Sequence, residues 1–594
     1  MRRTGRVLFL FLLICSCMMG LWLFQSWREE RISKSEMTLS NIYITSVSGS
    51  TVQIISDNRE KSYDTMSAVS GQAILGVADL LLRHNKIVKI KKKPEEISGK
   101  LLKMTETAVT IEDYGEVPLD KNFVVYEVGA DKSVKEGDKT DLVIGATDIR
   151  FIAAEGKICA AVLREDVPEK IRVLLKGKNG TSYDVKKVAV TSNQNYRILC
   201  NKETTYHEKG EVVTFTAKEW KGICVITAED GGRITLTNFK RRQGVPSYRG
   251  SIEIDQQGKY LNVINEVSLE EYLYSVVPSE MPTEYSDEAL RAQAICARTY
   301  AVGQIQSHRL ASLGAHVDDS VSYQVYNDLA EDERAIRAVN DTRGQIVTYQ
   351  DKIASTYFYS TSCGSAEGTR DVWYTEKDQE YLPCLLLNEK RDKKDLAQEK
   401  AFREFIQNPP ETLDSKEGWY RWETELSKDE LQKSLEQSIL EREKVNPTQV
   451  QVRDESGNYL SREISGVGEI QNIEVKKRGS GGVVTMVEIQ GSEAVIRVYT
   501  EYNIRTLLSG TQAKFSRKDK KEVTGLSILP SGYFYIEKKE NSYVFHGGGY
   551  GHGVGMSQTG ADVLAKQGKK ATEIIDYFFP KTKVKALADG GWNG

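Results

Sequence analysis

Six of the thirteen residues from His546 to Gln558 are glycine, at positions 547, 548, 549, 551, 553 and 555. Backbone this free of Cβ atoms reaches positive φ angles and admits a ligand or another chain segment at contact distance. No register of it gives the G-x-G-x-x-G dinucleotide fingerprint, and it is not a P-loop. Ser557 then stands as the N-cap of a helix running through Leu564, so that free N–H groups face the loop. Three roles are open for His546 and His552: contact with a sugar, metal binding, or bracing of a structural glycine hairpin. Their spacing is a weak metal motif, and H-E-x-x-H is absent.

Far upstream, Pro278-Ser279-Glu280-Met281-Pro282 sets one carboxylate between two prolines. Ser268 and Glu271 form a capping box, and Leu269, Leu273 and Val276 repeat at helical spacing. Pro278 is expected to end that helix, leaving Glu280 on a stiffened loop. The next helix has Ser286 as its cap and a small-sided stripe, Leu290, Ala294, Ala297 and Ala301, that lets another element approach closely. Glu280 is either a solvated loop residue or a general acid, its pKa raised by the apolar flanks Val277 and Met281. Arg298, seven residues after Arg291, either holds a carboxylate or acetamido group of a substrate or forms an ordinary salt bridge to Glu288 or Glu271. Cys363, after a strand over 353–359, is either a nucleophile served by His546 or His552 or a small residue at a strand end whose neighbours line the cleft. Asp371 and Trp373 follow soon after.

The N-terminus sets the compartment. Arg2, Arg3 and Arg6 precede an apolar run from Val7 to Phe24, with Trp22 and Trp27 near its far end. Such a helix rises roughly 27 Å, about enough to cross the hydrocarbon, and the leading charge keeps the N-terminus inside. No A-x-A-like site follows, so residues 1–37 are expected to be a cytoplasmic stub and uncleaved signal anchor, with lipidation of Cys17 as the alternative. The 81 basic and 84 acidic residues give a net charge of −3, which leaves no basic field for a dedicated nucleic-acid binder. Cys159, Cys200, Cys224, Cys296, Cys363 and Cys384 lack any C-x-x-C and read as free buried thiols, with Cys363–Cys384 as a candidate pair.

The fold class read from these patterns is α+β: β-rich N-terminal modules after a single transmembrane anchor, then a mixed α+β catalytic domain with a helical insertion. Residues 38–150 alternate with period two as small β-rich modules. Residues 155–235 continue in strands, with Asn179-Gly180 as a hairpin signal. Residues 236–590 mix helices and strands. Within them a charged stretch, about 389–445, carries a helix capped by Ser427 and Glu430 with Leu431, Leu435 and Ile439 on one face. A last helix, Thr572 to Phe579, stops at Pro580.

Taken in order, Tyr248-Arg-Gly250, Asn265-Glu-Val267, Glu271-Tyr-Leu273, Val277 to Pro282, Ala289 to Ala294, Ala297-Arg-Thr-Tyr300, Gln324-Val-Tyr326, Tyr359 to Gly364, Trp419-Tyr-Arg-Trp422 and the His546–Gln558 block resemble the stage II sporulation protein D / LytB family. The resemblance covers about residues 155–585. It implies a membrane-anchored lytic transglycosylase that cuts peptidoglycan glycan strands whose stem peptides an amidase has removed. The family's catalytic glutamate falls on Glu280. It first protonates the glycosidic oxygen, then takes the proton from the muramoyl O6 as a 1,6-anhydro ring closes. One carboxyl serves both steps because the nucleophile belongs to the substrate, whereas ordinary glycosidases need a pair.

Substrate contacts are then expected at Ser279, Arg298, Ser362, His546, Tyr550, His552 and Gln558. No cofactor is implied. Some relatives bind zinc through Cys and His just before the Q-V-Y motif; here residues 318–324 hold no Cys and only His316 is near, so no metal is expected. Residues 38–150 are extra relative to the compact sporulation enzyme. The family's other branch implies a noncatalytic wall-binding enhancer of an N-acetylmuramoyl-L-alanine amidase, which would not require a positioned acid. A third reading, a Cys-His hydrolase acting on stem peptides, would require a reactive Cys363. The implied partners are glycan strands, an amidase and, through the N-terminal helix, the cytoplasmic membrane, with the bulk of the chain extracytoplasmic and no nucleic acid.

Overall fold

The structure is a computed structural model. It describes residues 36–587 apart from 67–73, 130, 165–168, 178–179, 181, 220–221, 465 and 511. The expected anchor and Cys17 lie outside the described residues. Among the described residues no helix is long and apolar enough to cross a membrane. The fold is mixed α+β and strand-rich.

The first unit is an antiparallel sheet of Met37–Ser48, Thr51–Ser56, Arg59–Asp64, Gly76–Arg83 and Lys86–Lys92. Period-two alternation turns Val52, Ile54, Ala78, Leu80 and Leu82 onto one small core. A second sheet runs from Glu95–Ser98 to Lys157–Arg164. Its last strand lies parallel to Gly115–Val128. Sequence alone assigns this strand to the following region. It belongs here because both its faces are covered: Ala160 and Val162 meet Ile55 and Val77 of the first unit, while Ile158 and Ala161 enter the second core.

The third unit carries the candidate site. Its main sheet contains Lys170–Leu174, Ile223–Ala228, Ser251–Gln257 and Tyr260–Ser268. Strands Lys170–Leu174 and Lys187–Ser192, which flank Asn179-Gly180, enter different sheets, so they form no hairpin. Strand Tyr260–Ser268 runs directly into helix α1 (Leu269–Glu280), where Ser268 Oγ accepts the Glu271 N–H at 3.3 Å. Helix α2 (Asp287–Ile305) follows, and Leu290, Ala294, Ala297 and Ala301 are all fully enclosed. Ser286 makes no side-chain cap; its N–H and Oγ both donate to Asp562.

Helix α1 does not stop at Pro278. It continues to Glu280, and the Met281 N–H closes the last turn on the Val277 carbonyl at 2.9 Å. An internal proline costs about 3 kcal/mol in a helix. Here the ring is buried beside Val276 and Val277, and Ser279 Oγ donates to the Ser275 carbonyl at 2.7 Å. Core packing thus overrides the local rule, and the acid sits on a helix end instead of a loop.

The charged stretch divides between two cores. Helix Glu399–Gln407 sends Phe402 and Phe405 into the main core. Helix α3 (Lys428–Val445), with its Ser427–Glu430 capping box, buries Leu431, Leu435 and Ile439 in a separate lobe built on strands between Trp422 and Gly547.

Buried charges join the second unit to the third. Lys103 pairs with Asp255 and Lys100 with Glu266. Arg172 donates to Glu253 at 2.8 Å and Glu266 at 2.6 Å. Burial pushes the Glu266 pKa up, but Arg172 and Lys100 outweigh it and hold it at about 2. His316 lies within this seam, accepting the Arg172 N–H on Nδ1 and meeting the Ile144 carbonyl with Nε2.

Among the described residues one disulfide, Cys200–Cys224, bridges directly opposed residues of neighbouring strands. This corrects the reading of both as free thiols; Cys363 and Cys384 are unpaired. The bond spans 24 residues, so chain entropy assigns it about 3 kcal/mol. A Cys200→Ser/Cys224→Ser variant is therefore expected to lose about that much stability in denaturant unfolding, and reductant is expected to destabilise the parent but not the variant.

Candidate active site

Glu280 ends α1 as a partly buried residue. Its Oε1 accepts the Val325 main-chain N–H at 2.7 Å. Loss of water raises its pKa from 4.5 to about 7, offset only in part by that N–H. The negative end of the α1 dipole works in the same direction as burial. The donor is itself firmly placed. Gln324 is fully enclosed, accepting from Tyr272 Oη at 3.2 Å and donating to the Ala297 carbonyl at 3.3 Å. Tyr326 Oη donates to Asn265 at 2.7 Å. Ser279 Oγ accepts the Leu329 N–H at 3.3 Å, which ties the same segment to the end of α1. Ser279 is thus a brace beside the acid.

An aromatic surface leads away from Glu280. Burial foremost, with the Glu280 charge among the lesser causes, holds the Tyr300 phenol above its ordinary range. The Tyr300 ring lies 6.3 Å from that of Tyr357, which lies 4.5 Å from Trp373. Trp373 is 5.0 Å from His552 and remains 37% exposed. Concave sites for organic ligands are lined in this way, by aromatic faces with a few polar groups set among them.

The glycine segment packs against protein. Gly549 has φ +86°, and a Cβ there would lie 2.9 Å from the Cys363 nitrogen. A Cβ on Gly555 would lie 2.2 Å from the Tyr357 carbonyl oxygen. Bare backbone is needed so that this segment can lie against residues 357–363. Tyr550 exchanges main-chain hydrogen bonds with Thr361 at 2.7 and 3.2 Å, and its ring sits 4.9 Å from Trp419.

The two histidines go separate ways. His552 Nδ1 accepts the Val554 N–H at 3.1 Å. Burial, aided by the Arg505 charge, lowers its pKa to about 4 against a hydrogen bond to the Phe358 main chain, so it is neutral at pH 7. It braces the loop and backs Trp373. His546 belongs to the lobe sheet, between Glu423 (Nδ1, 2.9 Å) and Glu537 (Nε2, 3.3 Å) and stacked on Tyr535 at 4.7 Å. Among the described residues no group of three or more His, Cys, Asp or Glu is placed to hold a metal.

Three residues expected to touch substrate are enclosed. Arg298 has no exposed surface; it forks onto Glu270 at 2.7 and 2.8 Å and donates to the Val339 and Gln345 carbonyls. Its partner is neither Glu288 nor Glu271. Ser362 is buried, its N–H and Oγ donating to Asp414 at 3.0 and 3.2 Å. Gln558 is buried against Gln293. These side chains fasten buried elements to one another and present nothing to the surface. Asp414, which no sequence signal marks, also takes the Ser557 hydroxyl, and burial raises its pKa to about 6. Cys363 is enclosed and burial raises its pKa to about 11, which makes it a protonated, inert thiol.

The chain is thus a strand-rich α+β protein with one N–H-bound carboxyl at the head of an aromatic surface. A family model described as Stage II sporulation protein (SpoIID) matches residues 257–349, which include α1, Glu280, α2 and Val325. A second, described as a domain of unknown function (DUF8618), matches residues 367–555. The chain is 24% identical over 594 residues to the amidase enhancer of Bacillus subtilis (strain 168), covering 90% of this chain and 76% of that protein. It is 26% identical over 333 residues to stage II sporulation protein D of Bacillus amyloliquefaciens, covering 53% of this chain and 74% of that one. With stage II sporulation protein D of Bacillus subtilis (strain 168) it shares 26% over 339 residues, covering 54% and 75%. The chain is thus similar to the SpoIID family over the segment that carries Glu280.

Two outcomes follow from this geometry. Replacing Arg298 by Ala strands Glu270 in the interior and is expected to cost about 3–5 kcal/mol, read as a fall in thermal stability. For Glu280 the folded state binds its proton more tightly than the unfolded state, so native stability falls as pH rises from 4.5 to about 7. Glu280→Gln removes that penalty. Above pH 7 it is expected to be more stable than the parent by roughly 2 kcal/mol, after allowance for partial exposure, and no more stable below pH 4.

Proposed function

We propose that this protein is an extracytoplasmic, membrane-anchored lytic transglycosylase acting on peptidoglycan glycan strands. The observation that carries the reading is Glu280: one carboxyl, partly buried, with a pKa of about 7 and a fixed N–H partner, beside an aromatic surface suited to sugar rings. A pKa near the working pH suits a group that must first give a proton and then take one. In its acid form Glu280 protonates the oxygen linking muramic acid to the next glucosamine. The C1–O bond breaks and the leaving sugar departs as an alcohol. The resulting carboxylate, still held by Val325, takes the proton of the C6 hydroxyl as O6 bonds to C1. No water enters the products, and no second carboxyl is needed.

A second reading has its own support. The relative named amidase enhancer aligns over 90% of this chain, the N-terminal units included. On that reading the protein binds wall glycan and stimulates an amidase.

Digestion of purified peptide-free glycan strands separates the two. The parent is expected to yield 1,6-anhydro-muramoyl ends by mass spectrometry, and Glu280→Gln none. Reducing ends would indicate a hydrolase, and no cleavage by the parent would favour the enhancer. Because the first step requires the protonated carboxyl, kcat/KM is expected to be level below about pH 7 and to fall roughly tenfold per unit above it. Trp373→Ala is expected to raise KM for long strands several-fold with little change in kcat.

A further inference from the structure

A cavity of about 450 Å³ opens on the flank of the segment whose Val325 N–H binds Glu280. Lys240, Arg241, Arg242, Asp319, Val325 and Asp328 line it. Val325 belongs to both sites: its N–H binds the acid, and the same residue forms part of the cavity wall. The basic turn is rigidly presented. Arg241 and Gly244 exchange main-chain hydrogen bonds at 2.8 and 2.9 Å. Gln243 donates to the Asn327 carbonyl and side chain, both at 2.7 Å.

The charges in this cavity do not cancel. Arg241 is committed to Asp319 at 2.5 Å and to the Lys176 carbonyl at 2.7 Å. Asp328 accepts the Arg242 main-chain N–H at 2.9 Å. Lys240 and Arg242 are exposed, and among the described residues neither side chain forms an ion pair. Three cations therefore face two carboxylates, and both unpaired cations border open space. Such a site attracts an anion, and a guanidinium beside an ammonium suits a carboxylate.

We propose that this cavity is a subsite for a carboxylate carried by the glycan, with Lys240 and Arg242 as its specificity-determining residues. The inference rests on the glycan-cleaving reading above. On a muramic acid unit the only carboxylate is that of its lactyl ether, and it is free only where no peptide is joined to it. An amide at that position carries no charge, and the cavity then gains nothing from it. Charge at the subsite thereby distinguishes bare strands from substituted ones, at a cavity that shares Val325 with the acid.

The test uses the full-length protein carrying Glu280→Gln, so that binding is read without turnover. Its ligands are soluble peptide-free glycan strands and the same strands after carbodiimide-driven amidation of their carboxylates. Native strands are expected to bind about tenfold more tightly than amidated ones, the worth of one charge-assisted contact. Adding Lys240→Gln/Arg242→Gln is expected to remove the difference by weakening only the native strands, with thermal stability unchanged. Adding Lys240→Glu/Arg242→Glu is expected to reverse the preference. Equal binding of the two strands by the Glu280→Gln protein, or discrimination that survives the double substitution, overturns the subsite. Failure of the parent to cleave native strands while this discrimination persists counts against the transglycosylase and leaves the subsite standing.

Discussion

A guanidinium with no contact with water holds the region around Glu280 in register. Arg298 reaches from the middle of α2 to Glu270 near the start of α1, and to carbonyls at Val339 and Gln345. Four chain segments meet on one planar cation. Burying such a pair yields little net stability, yet losing one partner is costly, so the arrangement is better suited to fixing geometry than to adding stability. Both helices are thereby indexed to one another. The far end of α1 carries Glu280, and α2 also fixes Gln324 through the Ala297 carbonyl. The 2.7 Å contact between acid and Val325 depends on both.

The opposite wall follows a similar logic with a carboxylate at its centre. Asp414 takes hydrogen bonds from Ser362 and Ser557, binding the strand end, the glycine segment and the chain leading to the lobe. Glycine lets two backbones lie in direct contact, and the enclosed carboxylate fastens them. The half-buried Tyr357 ring and the exposed Trp373 ring lie beside this assembly, and Tyr300 meets them from α2. Polar groups that look like ligand contacts in one dimension are here the fasteners, and the aromatic groups beside them are Tyr300, Tyr357 and Trp373.

What the chain discloses in advance divides by range. Capping at Ser268 and Ser427, the small stripe of α2 and the inward face of α3 depend on neighbours within a few residues, and they read correctly. Pro278 is a local rule overruled by burial of the helix that contains it. Cys200 and Cys224 pair because two strands align in register, which spacing alone does not reveal. Arg298, Ser362 and Gln558 are chemically apt for ligands, and only the fold shows that they point inward. His546 and His552 lie six positions apart, yet His546 belongs to a strand of the lobe sheet and His552 to the irregular glycine segment beyond its end. The two prolines single out Glu280 but suggest a loop where the fold has a helix end; the aromatic surface, drawn from residues far apart in sequence, is not legible at all.

The seam made by Lys103, Asp255, Lys100, Glu266 and Arg172 has a mechanical consequence. Ionic contacts shielded from water do not slide as hydrated ones do, and the first two sheets share packed side chains as well. The leading units therefore act as a stiff bracket, with the cleft held at a set angle to residue 37. A ligand of the third unit would have to come to that orientation, since the unit is not free to swing toward it.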